Sequence, residues 1–286
     1  MPLEEYMEFW MNLLSWADTK TDTKPQAFQS FHLVSVLFII AATVLFCVAF
    51  KNAGDRTVRV VCLALWAVML LFKVYKQLVL TYDVIDGHIV GNYNWFYFPF
   101  QLCSTPIYVL PFVVFLPDGR VRDALISFMI AFSTFGGLAV CAYPGVVFTA
   151  TVGINYQTMV HHGIQVVVGA MLAAKYRDRL NIRFFLRGAV VFCALLCCAM
   201  AINTIIPALN PSGIINQNFS MFYIGFTQEN CELPILNMIY PAVPYLVFLA
   251  IYIVGFLLVA ALIFYIAKGI VILSRAIGKA CLKNAA

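Results

Sequence analysis

LVSVLFIIAATVLFCVAF, residues 33 to 50, runs without a single charged side chain. A bilayer's apolar layer of ~30 Å takes roughly 20 residues of helix to cross, so this stretch is long enough to span it. Six more apolar stretches follow, at 58–80, 95–116, 123–144, 155–174, 185–207 and 245–268. None alternates with the period of two that a barrel strand needs, and lipid offers an unpaired backbone group no partner, so all seven are read as helices. Composition agrees: 63% of the 286 residues are hydrophobic and only 11% charged, against about 25% charged in soluble domains. The expectation is an all-α, polytopic membrane protein, a seven-transmembrane-helix bundle over residues 33–268.

Residues 1–32 open with Glu4, Glu5 and Glu8 instead of a basic region ahead of an apolar one, so no cleavable leader is expected. Within them EEYMEFWMNLLSW, residues 4–16, reads as a short amphipathic helix on the extracytoplasmic membrane surface, or as a tail without fixed structure. Of the 18 basic residues, 14 follow the first, third, fifth and seventh spans: Lys51, Arg56, Arg59, Arg120, Arg122, Lys175, Arg177, Arg179, Arg183, Arg187, Lys268, Arg275, Lys279 and Lys283. The opposite loops, 81–94, 145–154 and 208–244, hold none. Basic residues stay on the cytoplasmic side, which places the N-terminus outside and the C-terminus inside, with 269–286 a basic cytoplasmic tail of a multi-pass cell-membrane protein. The net charge of +5 then reports topology and contact with anionic lipid, with membrane lipids as partners and no role for nucleic acid.

Seven of the nine cysteines fall within the spans, which is neither a disulfide framework nor a metal-site spacing, and no metal or cofactor is expected. Cys141 and Cys231 are the one pair placed to bridge on the outer side. The loop 208–244 is too aromatic and aliphatic for disorder and is expected to fold over the outer mouth as a lid. It carries a glycosylation sequon at Asn218. No internal repeat is visible, so an inverted-repeat transporter has no support.

Polar residues inside spans usually face the bundle interior and often mark function. At a rise of 1.5 Å per residue, Cys103 lies roughly 12 Å and His162 about 10 Å below the outer surface. Lys73 has a similar depth, Lys76 and Gln77 lie above it, Asn203 and Thr204 end span six, and His32 begins span one. The inner half has almost nothing comparable. Asn155, Thr158, His162, Gln165 and Gly169 fall on one helical stripe, with His161 turned away by about 100°. Ser133, Gly137 and Cys141 make a small-residue row of the kind that lets helices pack closely. Pro99 and Pro106 break span three, leaving the Leu102 carbonyl without its helical donor. On an ideal helix Cys103 would lie off the face shared by Gln101, Ser104, Thr105 and Tyr108.

A thiol beside an imidazole is the minimal equipment for covalent acyl transfer, with Cys103 as nucleophile and His162 as base. Gln101, Ser104 or Asn203 could donate to the oxyanion and a Lys73 ammonium could favour it, with a phospholipid ester as substrate. His161, Gln77 and His32 complete the candidate substrate-binding set. Each residue also has a plain structural reading: Cys103 as a small apolar group, His162 as a bonded interior residue, Lys73 as a snorkelling cation, His32 and Lys76 as interfacial, Gln101 and Asn203 as helix bridges. The alternative to the enzyme is a non-catalytic ligand-binding or transport protein with an outer polar pocket, in which Lys73, His162 and Asn203 hold the ligand and Cys103 is inert. Retinal is excluded, because span seven has no mid-membrane lysine.

At FYFPFQLCSTPIYVLP (96–111), GLAVCAYP (137–144) and TMVHHG (158–163), with KVYKQL in span two and NFSMFYI in the last outer loop, the chain resembles the YwaF family of integral membrane proteins. The likeness runs from about Phe31 to Lys268. That family is distantly related to a eukaryotic ether-phospholipid acyltransferase family, and the resemblance implies an acyltransferase whose membrane-embedded cysteine corresponds to Cys103, with His162 as base. Many relatives have histidine two residues before the cysteine; this chain has Gln101.

Overall fold

The computed structural model describes residues 3–209, 219–226 and 231–284. Helix α1 (Leu3–Ala17) precedes α2 (Ser30–Phe50) and α3 (Asp55–Val79); a hairpin of β1 (Tyr82–Ile85) and β2 (His88–Gly91) follows. Next come α4 (Pro106–Phe115), α5 (Arg120–Phe128), α6 (Thr134–Ala142), α7 (Val152–Lys175), α8 (Ile182–Ala208), the one-turn α9 (Leu236–Ile239) and α10 (Tyr245–Asn284). A π-turn, Met129–Ser133, fuses α5 and α6 into one continuous helix. Among the described residues, five helices are long and apolar enough to cross a membrane: α2, α3, the fused Arg120–Ala142, α8 and α10.

The other two expected spans depart from the apolar-helix pattern for physical reasons. Helix α7 is long enough but polar, and it is the axis of the bundle: it packs against α2, α3, α6 and the π-turn, and 17 of its 24 residues are buried. A helix wrapped over most of its surface by other helices has little need of an apolar one. Span three is helical only from Pro106 onward; ahead of it lie two 3₁₀ turns, Trp95–Tyr97 and Leu102–Ser104. The Leu102 carbonyl freed by Pro106 accepts from the Thr105 hydroxyl at 2.7 Å and the Thr105 amide at 3.2 Å. Protein thus closes the break in the ladder, as burial demands.

Two glycines let α7 approach its neighbours. A Cβ on Gly137 would sit 2.6 Å from the His162 carbonyl, and one on Gly169 would sit 1.8 Å from the Thr134 hydroxyl and 2.9 Å from the Met129 carbonyl in the π-turn. The expected small-residue row therefore seats α6 on α7 at Gly137. Gly169→Ala should destabilise the bundle by about 1–3 kcal/mol through overpacking, read as a lower unfolding midpoint in mixed micelles.

Helix α1 forms where the amphipathic segment was expected, and the chain after it is pinned to the start of α7. Tyr75 donates to the Ala17 carbonyl at 2.6 Å, Thr151 to Asp18 at 3.0 Å, and the Val152 amide to the Thr19 carbonyl at 2.9 Å. The hairpin is an addition to the all-α expectation. Its turn, Asp86 (φ 50°) and Gly87 (φ 73°), is the Asp-Gly pair that a two-residue hairpin favours.

The end of the bundle holding the basic loops is not the polar desert expected. Arg122, 2% exposed, donates to the Val113 carbonyl at 2.8 Å, to Asp55 at 3.1 Å, to Tyr176 at 3.0 Å and to Asp118. Arg59 joins through Asp55 at 2.6 Å, and Tyr176 donates to Asp55. Burial, reinforced by the Asp55 carboxylate, pushes the Tyr176 phenol up to about 12, so it keeps its donor proton. This cluster ties α3, the α4–α5 turn and the end of α7. Reading Arg122 only as a topological charge hid it, because nothing local in the sequence says that Asp55 and Tyr176 converge on it.

Candidate functional site

At the opposite end, α3, the broken third segment, α6, α7, α10 and the loop residues Phe222, Tyr223 and 232–234 line a cavity of about 260 Å³. Cys103, Ser104, Gln101, Lys73, His161 and His162 all line it. The 3₁₀ turn over Leu102–Ser104 makes this possible, since it rotates Cys103 away from the off-face position of an ideal helix. Gly136 backs the turn: a Cβ there would lie 3.7 Å from the Cys103 Cα.

Both imidazoles are buried, at 2% and 6% exposure. His161 Nε2 lies 2.8 Å from the Cys103 carbonyl and His162 Nδ1 lies 2.7 Å from the Thr158 carbonyl. A carbonyl only accepts, so each of those nitrogens carries a proton and the other nitrogen of each ring keeps its lone pair. Those two atoms, His161 Nδ1 and His162 Nε2, have no partner among the described residues. The rings meet edge to face with centroids 5.2 Å apart. The ring tied to Cys103 is that of His161, which helical phase had ranked second, and Gln165 Nε2 donates to the same carbonyl at 2.9 Å. The hydrogen bonds from both His161 and Gln165 run to the Cys103 carbonyl, and among the described residues its sulfur has no hydrogen-bond partner.

Lys73 donates to the Ser104 hydroxyl at 3.1 Å. Lys76 also lines the cavity, its ammonium 5.4 Å from the Tyr97 ring centre, so it belongs to the site and is not the interfacial residue expected. Among the described residues neither lysine forms a salt bridge. Glu232, from the loop before α9, supplies the cavity's one carboxylate among its described lining, and burial holds that carboxyl above its usual range. Sequence reasoning passed over Glu232 because it stands in a loop of no regular period.

Gln101 and Asn203 line or flank the cavity by holding its roof. Gln101 donates to the Ser220 carbonyl at 2.8 Å and accepts from the Phe222 amide at 2.7 Å. Asn203 brackets Met221 in the same way, at 3.0 and 2.7 Å. Between these clamps Phe222 and Tyr223 take left-handed backbone conformations, φ 58° and 57°, which persist only where surroundings over-determine them. Asn203→Ala should leave the buried Met221 amide and carbonyl unpaired, at about 1–3 kcal/mol. Hydrogen exchange at residues 219–226 should accelerate accordingly, while the core of α7 stays protected. These clamps fix residues 220–222 of the outer loop; Asn218 lies outside the described residues.

Three candidates stand away from the cavity. Gln77 donates to the Tyr97 carbonyl at 3.0 Å and accepts from Tyr93 at 3.1 Å, bracing the loop after the hairpin. His32 accepts from the Phe28 amide at 3.0 Å and donates to the Cys141 carbonyl at 2.9 Å, so both ring nitrogens are spent on packing. Asn203 reaches only the roof. Cys141 and Cys231 are free thiols, not a bridge.

A polar central helix sheathed by apolar ones, with an internal chamber at one end, defines a multi-pass membrane protein. The chain belongs to the TMEM164 family, whose model matches residues 26–268. No curated protein and no solved structure matches it.

Proposed function

We propose that the protein is a membrane-embedded acyl-transferring enzyme acting on phospholipid, with Cys103 as nucleophile. The observation that carries this reading is the sharing of one buried cavity by the thiol and two imidazoles, each keeping one unpaired ring nitrogen. His161, held against Cys103, takes the thiol proton; the thiolate attacks an ester carbonyl; and the departing glycerol oxygen recovers the proton, leaving a thioester. His162 then removes the proton of the incoming hydroxyl, whose oxygen bonds to the thioester carbonyl carbon as the C–S bond breaks, and the proton passes back to the departing Cys103 sulfur. Lys76, which lines the same cavity, supplies a cation that favours the developing oxyanion. Catalytic hydrogen bonds are commonly long before substrate enters, so the resting gap between thiol and ring is compatible with this chemistry.

The likeness to the YwaF family supports the same reading. The five long apolar helices, with enclosed α7 and short α4, make up the seven crossings. The basic loops face the cytoplasm and contact anionic lipid, and the cavity opens toward the outer leaflet of the cell membrane. Purified protein in liposomes should move a fatty-acyl group from phospholipid to a lysolipid acceptor, and Cys103→Ala should abolish that turnover. Tight binding of lipid with no turnover in either protein would favour the ligand-binding alternative.

A further inference from the structure

Among the described residues, the one hydrogen bond in the cavity that joins a nucleophile to a base is that between Ser104 and Lys73. Ser104 is 4% exposed, its hydroxyl lies 3.1 Å from Lys73 Nζ, and both side chains line the chamber that holds Cys103. Lys73 has no carboxylate to hold it as an ion pair among the described residues. A serine hydroxyl beside a lysine amine is one of the recurring variants of the nucleophile–base pair, and desolvated lysines serve as general bases. The structural alternative, a serine that merely satisfies a buried ammonium, leaves the hydroxyl's position next to the thiol without consequence.

We propose that Ser104, deprotonated by Lys73, is a second acyl-accepting nucleophile in the cavity, forming an oxygen ester where Cys103 forms a thioester. This rests on the acyl-transfer reading of the cavity but not on Cys103 being reactive. The neutral Lys73 amine takes the Ser104 Oγ proton. The Oγ electron pair bonds to the ester carbonyl carbon while the carbonyl π pair moves onto its oxygen. As the carbonyl re-forms, the bond to the glycerol oxygen breaks and that oxygen takes the proton from the Lys73 ammonium. The products are an acyl-serine, a lysolipid and a neutral lysine, with no oxidant or reductant involved. Once protonated, Lys73 is also the cation beside the tetrahedral oxyanion, so one side chain serves both halves of the step.

The test uses the full chain in liposomes with a phospholipid bearing an alkyne-tagged acyl chain, comparing wild type, Cys103→Ala, Cys103→Ala/Ser104→Ala, Cys103→Ala/Lys73→Met and Cys103→Ala/Lys73→Arg. Neutral hydroxylamine cleaves thioesters and spares oxygen esters; alkali cleaves both. The expected result is an adduct on Cys103→Ala that survives neutral hydroxylamine, yields to alkali, and falls at least tenfold in all three double variants. An arginine that keeps the charge without serving as a base must fail with the methionine. Loss of all adduct in Cys103→Ala, with a thioester on wild type, overturns the proposal and leaves the Cys103 reading standing. An undiminished resistant adduct in the Ser104→Ala double variant also overturns it. A wild-type adduct that is wholly resistant and indifferent to Cys103→Ala sustains the proposal while removing Cys103 as nucleophile. Absence of adduct on wild type and all variants overturns both. Unfolding midpoints in micelles identify folded variants, and Ser104→Ala, which deletes one oxygen, carries the test where a Lys73 variant does not fold.

Discussion

Arg122→Met should lower unfolding stability in mixed micelles by about 3–5 kcal/mol, the loss typical of breaking one side of a buried ion pair. Methionine fills most of the volume, so the loss is not a cavity effect. It comes from stranding the Val113 carbonyl and the covered side of the Asp55 carboxylate shared with Arg59 and Tyr176, whereas Asp118, 65% exposed, turns to water. Arg59 is more exposed and covers only one side of Asp55, so it does not replace the missing guanidinium. Tyr176→Phe, which removes one hydroxyl from the same cluster, should cost less, about 1–3 kcal/mol. The ion pair between Arg275 and Asp178 is exposed on both sides, and Arg275→Met should leave the midpoint unchanged. Equal losses at Arg122 and Arg275 would mean that the cluster does not hold that end of the bundle together.

His161→Ala should slow acyl transfer by a factor of about 10²–10⁴, the range that a positioned general base contributes. Two roles are mixed in that number, because His161 also donates to the Cys103 carbonyl. His161→Gln separates them: an amide can donate to that carbonyl but cannot accept the thiol proton as a base. If His161 only positions the turn, glutamine restores most of the rate; if it is the base, glutamine fails with alanine. His162→Ala should slow the second half-reaction more than the first, so the thioester should accumulate and wait for its acceptor. His32→Ala is the contrast, since that ring spends both nitrogens on Phe28 and Cys141 outside the cavity; its loss should lower stability without changing how fast the thioester forms.

The helical bundle was legible in the sequence because lipid imposes a strong rule: long apolar runs must be helices, and α2, α3, α8 and α10 follow it. The rule fails at α7, where burial among other helices removes the need for an apolar surface, yet the polar stripe there still pointed to the interior. The convergence of Cys103, Ser104, Lys73 and the two histidines was readable from depth along the spans, which depends only on helical rise. Phase was less dependable. His161, not His162, reaches Cys103 because the third segment is not an ideal helix there, and prolines announce a break without giving its geometry. Depth also could not separate wall from scaffold: Asn203 and His32 sit at suitable levels but spend their polar atoms on backbone, and Gln77 spends its own on the Tyr97 carbonyl and the Tyr93 hydroxyl. The Arg122 cluster and Glu232 were illegible for a related reason, since each depends on loops meeting across the bundle.

The most direct measurement is to trap the acyl-enzyme from tagged phospholipid and locate the label by peptide mass spectrometry. The account expects a hydroxylamine-labile acyl group on Cys103, lost in Cys103→Ala, and none on Cys193, Cys197 or Cys198, which are exposed along α8. A label confined to those exposed thiols, with residue 103 unmodified, would contradict it.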